Sequence, residues 1–248
     1  MPSVLLETVD LKKRFGGVHA VDGISLSLAA GELRCIIGPN GAGKSTFFQL
    51  LTGRVRADSG RIFFFGQDIT HDHPFQRARR GIAVKVQSLG VYSELTVRHN
   101  LSVPLQRHFG ESELQSQIFA MLPRLGLAGR EDAIVRDLSH GQRQWLALGM
   151  ALAMRPRLLL LDEPTAGMSP EETRSTGEIV KQVNGEGVAV IVIEHDMAFV
   201  RQLEAPVTVL HYGRLFAHGT LAEIEGHADV RRLYLGTRGA GPAIATVA

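Results

Sequence analysis

Residues 38–46 constrain this chain more than any other stretch, because they read Gly-Pro-Asn-Gly-Ala-Gly-Lys-Ser-Thr between two apolar runs. Residues 33–37 before them suit a buried strand, and residues 47–51 after them suit a helix. Glycines let backbone N–H groups approach phosphate oxygens, because no Cβ blocks them. The N-terminus of the following helix attracts the same anion. The pattern therefore predicts a strand, a phosphate-binding P-loop and a helix.

The polar residues of this loop have distinct expected roles. Lys44 supplies a positive charge for the β and γ phosphates of a nucleotide, and the Ser45 hydroxyl suits a Mg²⁺ shell. An ordinary glycine-rich turn before a helix is the alternative. The candidate binding residues are Gly38, Pro39, Asn40, Gly41, Ala42, Gly43, Lys44, Ser45 and Thr46.

A second chemical group follows the apolar run 158–161, where Asp162 and Glu163 stand side by side. Open α/β sheets place their ligand groups at the carboxyl ends of buried strands. Successive strand residues point in different directions, so the two carboxylates can have separate tasks. We expect Asp162 in the Mg²⁺ shell and Glu163 as the base that polarises an attacking water. A solvated acidic turn is the alternative.

Composition limits the class of protein. The 248 residues suffice for one large domain or a core with a subdomain, and 44% hydrophobic with 21% charged residues is typical of a globular protein. A net charge of +2 is too small to indicate a nucleic-acid partner. The single cysteine, Cys35, suits a buried strand position. No apolar run is long enough for a membrane span and the first ten residues do not resemble a signal peptide, so we expect a cytoplasmic protein.

Hydrophobic periodicity predicts strands in two blocks and helices between them. A basic turn is expected at 12–14, a turn at 66–68 and a disordered tail after residue 236. Helices are expected at 47–51, 96–107, 113–125, 145–154 and 170–183. Strands are expected at 4–9, 24–28, 33–37, 60–65, 82–86, 157–161, 188–193, 207–211 and 214–217.

Together, residues 38–46, Gln87, residues 138–142, Asp162-Glu163 and His195 resemble the motifs of ATP-binding-cassette (ABC) ATPases, in order and approximate spacing. The likeness covers roughly residues 5–235. It implies an α/β fold, with a P-loop NTPase (RecA-like) core, an antiparallel β-subdomain and an inserted helical subdomain. The implied single domain is 1–236, with the core at 1–87 and 155–236, the helical part at about 88–154 and a disordered tail at 237–248.

The resemblance also implies an assembly. Two nucleotide-binding domains, two copies or one copy and a paralogous ATPase, would close head to tail around two ATP molecules and pull on transmembrane permease subunits. A periplasmic or extracellular solute-binding protein would take part indirectly, and no nucleic acid is expected. The chain would then lie at the cytoplasmic face of the cell membrane as a peripheral subunit.

Ser139, Gly141 and Gln142 match the signature segment of the family, although His140 stands where glycine is usual. The resemblance implies that this helix start faces the γ-phosphate bound by the opposite subunit. A plain serine N-cap is the alternative. Ser169 stands at a position in the D-loop that is often aspartate, so no acidic contact is available from it.

Three further residues receive roles from the family. Gln87, after Val86 where an aromatic residue is usual, matches the glutamine that reaches Mg²⁺ or the water. His195 matches the switch histidine at the γ-phosphate. Phe15 is the candidate for stacking on adenine, since ring faces stack on any base; capping of the β-subdomain is its alternative.

Residues 166–172, 194–197 and 233–236 are similar to ATPases of branched-chain amino acid uptake, and residues 139–146 and 31–34 to the urea-uptake branch. The implied function is the ATP-hydrolysing subunit of an importer for one of these or a similar small polar solute. Two alternatives stay open: a soluble ABC ATPase acting on nucleic acid or ribosomes, and a nucleotide-binding structural or regulatory module.

Overall fold

The computed structural model describes residues 3–86 and 90–235, with the backbone alone for 233–235. Predictions that concern Gln87 and the tail after residue 236 therefore lie outside the described residues. Within the described chain, strands form two sheets and helices fill the remaining layers. The strands are β1 (Val4–Phe15), β2 (Val18–Ala29), β3 (Leu33–Ile37), β4 (Ser59–Phe64), β5 (Gln67–Asp68), β6 (Ile82–Lys85), β7 (Leu158–Asp162), β8 (Ala189–Ile193), β9 (Val207–His211) and β10 (Arg214–Gly219).

The larger sheet has the order β10-β9-β3-β8-β7-β6, and all neighbours pair in parallel except β10, which is antiparallel to β9. Every residue of β3 is buried. Ile36 faces one hydrophobic core, whereas Cys35 and Ile37 face the other, as the two-residue period of a strand requires. A strand apolar on both faces is thus fixed between two layers, and its carboxyl end delivers the P-loop.

The smaller sheet, β2-β1-β4-β5, is antiparallel. It extends further than the sequence predicts, since β1 runs through Lys12, Lys13 and Arg14, where a turn was expected. Pairing with β2 on one side and, at Lys12, with β4 on the other holds this polar segment extended. Gln67 and Asp68, also expected in a turn, pair with Phe64 and Phe63 as β5.

Helices cover the larger sheet. The helices that come between β6 and β7 along the chain form a separate layer. In that layer α3, α4 and α5 share their own hydrophobic core, which includes Val97, Leu101, Leu122 and Leu146. No helix within residues 3–86 and 90–235 has the length and apolar character to cross a membrane. The helices are α1 (Lys44–Leu51), α2 (Pro74–Arg80), α3 (Val97–Leu105), α4 (Glu111–Arg124), α5 (His140–Ala153), α6 (Pro170–Gly185), α7 (Met197–Leu203), α8 (Leu221–Gly226) and α9 (Ala228–Leu235), with a 3₁₀ turn at Val135–Asp137.

Candidate functional site

The P-loop is held from behind by backbone atoms of two distant strands. Gly43, the N-cap of α1, has φ 97°, and a Cβ on it would lie 2.1 Å from the carbonyl oxygen of Ala20. A Cβ on Gly38 would lie 2.4 Å from the carbonyl oxygen of Leu210. The Gly213 N–H donates to the Ala42 carbonyl at 3.0 Å. Glycine is required at both positions because neighbouring backbone occupies the space of a side chain.

The N-terminus of α1 is open to an anion. No side-chain hydrogen bond caps it within the described residues, and its first turn contains no acidic residue. The unpaired N–H groups and the positive end of the helix dipole therefore face outward. Lys44, the first residue of α1, donates from Nζ to the carbonyls of Gly38 (2.6 Å) and Pro39 (3.0 Å). Burial lowers the pKa of the Lys44 ammonium, and the carboxylates of Glu163 and Asp162 oppose this effect.

Asp162 and Glu163 lie at the carboxyl end of β7, as the sequence predicts. Burial raises the pKa of Asp162, and the neighbouring Glu163 raises it further, whereas Lys85 and Lys44 oppose the shift. Glu163 has left-handed backbone (φ 45°), and its N–H donates to the Ile193 carbonyl at 2.9 Å. This conformation, uncommon outside glycine, ends the strand and turns Glu163 towards the adjacent end of β8.

His195 lies at that adjacent end and meets Glu163. Its Nδ1 is 3.5 Å from Glu163 Oε1 and 3.8 Å from Glu194 Oε2. The structure thus brings together two residues that are far apart in the chain, as expected when parallel strands end at one edge. The carboxylate and the imidazole therefore border the same space, where both could act on one bound molecule.

Ser45 and Asp162 line one cavity of about 300 Å³ beside α1. A hydroxyl and a carboxylate oxygen are ligands that Mg²⁺ prefers, together with water and phosphate oxygens. The residues present therefore fit a magnesium ion, and Ser45 and Asp162 would hold it. Gln87, the third predicted ligand, lies outside the described residues.

Glu194 is a site residue that the sequence analysis did not single out. It is 1% exposed, and its carboxylate accepts hydrogen bonds from the Thr165 hydroxyl (2.5 Å) and from the N–H groups of Thr165, His195 and Asp196. Glu194 therefore ties the segment after Glu163 to the loop that carries His195. A carboxylate directly after the apolar run of β8 was the available signal.

Lys85, at the end of β6, is a second residue that was missed. It is 4% exposed, and Nζ has no hydrogen-bond partner within residues 3–86 and 90–235. Burial lowers its pKa to about 8, against the opposing effect of Glu194, Asp162 and Glu163. A lysine inside a short apolar strand was the signal. Its ammonium compensates part of the negative charge at this end of the sheet.

The predicted signature residues lie at the start of α5. Ser139 caps the helix: its hydroxyl accepts from the Gln142 N–H (3.2 Å), and the Gln142 side chain accepts from the Ser139 N–H (3.1 Å). Ser139 Oγ is also 3.4 Å from Glu172 Oε1. A Cβ on Gly141 would lie 2.2 Å from that same oxygen. Among the described contacts, Ser139 therefore meets Gln142 and Glu172, not the P-loop of its own chain.

Two other predicted residues have local roles. Phe15 is 49% exposed at the end of β1, with the Lys13 ammonium 5.5 Å from its ring centroid. Adenine stacking by Phe15 stays a prediction. Ser169 caps α6 by accepting from the Glu172 N–H at 3.2 Å, which explains how a serine suits this position.

Known proteins resemble this chain in sequence and in structure. Residues 21–166, more than half of the chain, match the family described as "ABC transporter". The methionine import ATP-binding protein MetN of Rhizobium johnstonii is 39% identical over 87% of this chain, but the match spans only 60% of that relative. The branched-chain amino acid transport ATP-binding protein BraF of Pseudomonas aeruginosa is 33% identical over 95% of this chain and 99% of its own length. A crystal structure of a nucleotide-free ATP-binding cassette from an ABC transporter superposes with a TM-score of 0.85 at 29% identity, covering 93% of this chain and 98% of the other.

Proposed function

The chain belongs to the ABC transporter family, whose members hydrolyse ATP, and from this premise we propose that it is the ATP-binding and ATP-hydrolysing subunit of an importer. The observation that carries the proposal is the convergence of Lys44, Asp162, Glu163 and His195 at the carboxyl ends of β3, β7 and β8. A phosphate grip without a base would suit a binding module. The Glu163–His195 pair beside the P-loop supports hydrolysis.

The proposed chemistry assigns one task to each group. The open N-terminus of α1 and the Lys44 ammonium bind the phosphates, after Lys44 leaves the carbonyls of Gly38 and Pro39. Glu163 orients the attacking water and accepts its proton, and His195 stabilises charge on the γ-phosphate. A Mg²⁺ ion held by Ser45 and Asp162 would neutralise phosphate charge. Such positioning and electrostatics are most of what phosphoryl transfer needs from a protein.

The second half of the proposed site comes from another molecule. The start of α5, with Ser139 and Gly141, is an N-terminus of the kind that binds anions, but its contacts with the described residues of this chain do not include the P-loop. We propose that it meets the γ-phosphate bound by a second ATPase subunit, either another copy or a paralogue. Closure then excludes water from both sites, and release of phosphate reopens them.

A groove between α2, β6, α3 and α5 suits the proposed membrane partner. It has a volume of about 600 Å³, and Phe75, Val103, Pro104 and Met150 line it together with Arg107. Phe75 and Val103 are about half exposed. We propose that a cytoplasmic helix of a permease subunit docks here, which would place the chain at the inner face of the membrane.

The proposed cargo is a branched-chain amino acid, urea or a similar small polar solute delivered by a solute-binding protein. The match to BraF along both full lengths supports the amino acid, whereas the match to MetN covers a smaller share of that relative. Uptake of labelled leucine, urea and methionine by a deletion strain, with and without the restored gene, separates these cargoes. Co-purification with a multi-span permease tests the partner.

Replacement of Glu163 by glutamine tests hydrolysis directly. Glu163→Gln should keep ATP binding and lower kcat at least about a hundredfold, because a positioned base contributes that much. Glu171→Gln, an exposed carboxylate in the first turn of α6, is the matched control and should retain wild-type turnover. Unchanged steady-state hydrolysis in Glu163→Gln would refute the assignment of the base.

A further inference from the structure

His140 makes a contact that a glycine at its position cannot make. It is the first residue of α5, and its Nε2 lies 2.9 Å from the carbonyl oxygen of Ala166. A carbonyl only accepts, so Nε2 carries the proton in this contact. Gln144, one turn along the helix, has its amide 3.3 Å from the same nitrogen while its Oε1 has no partner among the described atoms. Exchange of the two amide ends of Gln144 lets Oε1 accept from His140 Nε2–H as well.

The segment that contacts His140, residues 163–168, leaves room for the imidazole ring. Gly167 has φ 74°, and a Cβ there would lie 3.2 Å from His140 Nε2. On its other side the segment is fixed by Thr165, whose N–H and hydroxyl both donate to the buried Glu194. Residues 163–168 therefore run between two fixed points, Glu194 in the core and His140 on α5.

Further contacts join the same two elements. Glu172 Oε1 lies against Ser139 and Gly141, and the Trp145 indole N–H donates to Thr176 Oγ1 at 2.9 Å. The first two turns of α5 and residues 166–176 thus meet at three places. We call this set of contacts, made by His140, Ser139 and Trp145 with Ala166, Glu172 and Thr176, the α5–α6 clasp.

We propose that His140 is a positioning residue that fixes the segment behind Glu163 to the start of α5, and so couples the two ATP sites of the assembled dimer. This rests on the proposed function, in which Glu163 acts on the ATP of its own chain and Ser139 on the ATP of the other. The most direct path between the two sites consists of the His140–Ala166 hydrogen bond and residues 163–166, and the contacts of Ser139 and Trp145 lie further along α6. The described contacts of the His140 side chain are with Ala166 and Gln144 of its own chain, so its proposed role is positioning.

The test compares His140→Gly, which removes the donor, with His140→Gln, which keeps an N–H at similar reach. In the assembled ATPase, His140→Gly should lower kcat about fivefold and reduce the Hill coefficient for ATP towards 1, as expected for one lost hydrogen bond. His140→Gln should restore most of both. ATP affinity of the lone chain should stay within about twofold of wild type in each variant, since the described contacts of the His140 side chain are with Ala166 and Gln144 and not with the P-loop.

Amide hydrogen exchange separates failure of this inference from failure of the proposed function. The N–H groups of Ala166 and Met168, which bond to Glu163 and Thr165, should exchange faster in His140→Gly and at the wild-type rate in His140→Gln. Wild-type exchange, kcat and Hill coefficient in His140→Gly would overturn the inference, even with Glu163→Gln inactive. Equal losses in both variants with a lowered urea midpoint would also overturn it, since the role would then be stability alone. Wild-type turnover in Glu163→Gln would instead overturn the proposed function.

Discussion

The P-loop and the signature segment are the two helix N-termini proposed to face a triphosphate, but they are built differently. At α1 the N-cap is Gly43, no side chain caps the helix within the described residues, and backbone carbonyls of Ala20 and Leu210 lie behind the loop. At α5 the N-cap is Ser139, a capping box with Gln142 closes the helix, and the Glu172 side chain lies against it.

The difference separates a rigid site from an adjustable one. Backbone of two sheets supports the P-loop, so its shape follows from the fold itself. Side chains support the signature segment, and side chains change rotamer at little cost. In the proposed function, the chain would therefore bring a preformed site for its own ATP and an adaptable surface for the ATP of a second subunit.

Substitution of glycine by alanine should break the rigid site most. Gly43→Ala adds a Cβ 2.1 Å from the Ala20 carbonyl and forces alanine to φ 97°, so we expect unfolding free energy to fall by more than about 2 kcal/mol and ATP binding to be lost. Gly41→Ala is the matched control, since the φ of Gly41 is also positive (79°). A Cβ on Gly41 would have no described atom within 4 Å apart from its chain neighbours. It should lose only about 1 kcal/mol. Urea unfolding measures the stability of both variants, and nucleotide titration measures their ATP affinity. Equal losses of stability and affinity in the two variants would contradict the role of the Ala20 carbonyl behind Gly43.

Substitutions that change charge should distinguish the P-loop, which binds ATP in the lone chain, from the signature segment, which is proposed to act in the dimer. Lys44→Met removes the ammonium and should weaken ATP binding by the lone chain about 10- to 100-fold, the value of hydrogen bonds to a charged group. Ser139→Arg should leave that affinity within about twofold yet prevent ATP-driven dimerisation on a sizing column. Lys181→Met, which breaks only a surface ion pair with Glu204, is the control for lost charge. Normal dimerisation of Ser139→Arg would remove the signature role.

The smallest effect is expected at the adjustable site. A Cβ on Gly141 would lie 2.2 Å from Glu172 Oε1, so the Glu172 side chain must rotate aside and give up its hydrogen bond from the Ser169 N–H. Gly141→Ala should therefore cost about 1 kcal/mol of unfolding free energy, the value of one hydrogen bond. A loss as large as that of Gly43→Ala would show that the clasp is as rigid as the P-loop.

Acid should weaken the contacts that the Glu172 carboxylate makes with Ser169 and Ser139. The Ser169 N–H above all, then the hydroxyls of Ser169 and Ser139, lower the pKa of the Glu172 carboxyl below its ordinary value. A lowered carboxyl pKa adds stability above the unfolded-state value and loses it as pH falls through the folded-state value. The stability difference between wild type and Glu172→Gln should hold above about pH 5 and shrink below about pH 4. A difference constant from pH 7 to pH 3 would contradict the charged contact.

Sequence reasoning predicted the local structure correctly where one chemical requirement fixes both residue type and local structure, and the catalytic roles stay predictions. The P-loop, the β7 carboxylates and His195 each follow an apolar run, so strand ends and motif could be read together. It failed where tertiary contacts decide. The polar stretch Lys12–Arg14 is extended because β1 pairs on both sides, and Gln67-Asp68 pairs with β4.

One reason explains why sequence reasoning did not predict Glu194 and Lys85 as site residues. Glu194 and Lys85 carry charges that a single sequence assigns to solvent, and burial became visible only when β6, β7 and β8 were placed side by side. His140 could be noted as unusual, but its partner Ala166 is 26 residues away. No pattern in the sequence announces that contact.

Two of the backbone groups behind the P-loop, the Leu210 carbonyl and the Gly213 N–H, are far along the chain from residues 38–46. A ribosome adding about 5–20 residues per second needs on the order of 10 to 30 s to make the stretch between them. During that interval the glycine-rich loop has emerged but lacks this part of its support. The complete support of the P-loop therefore forms only with the finished core, and we expect a growing polypeptide to bind ATP only after its last strands have folded back.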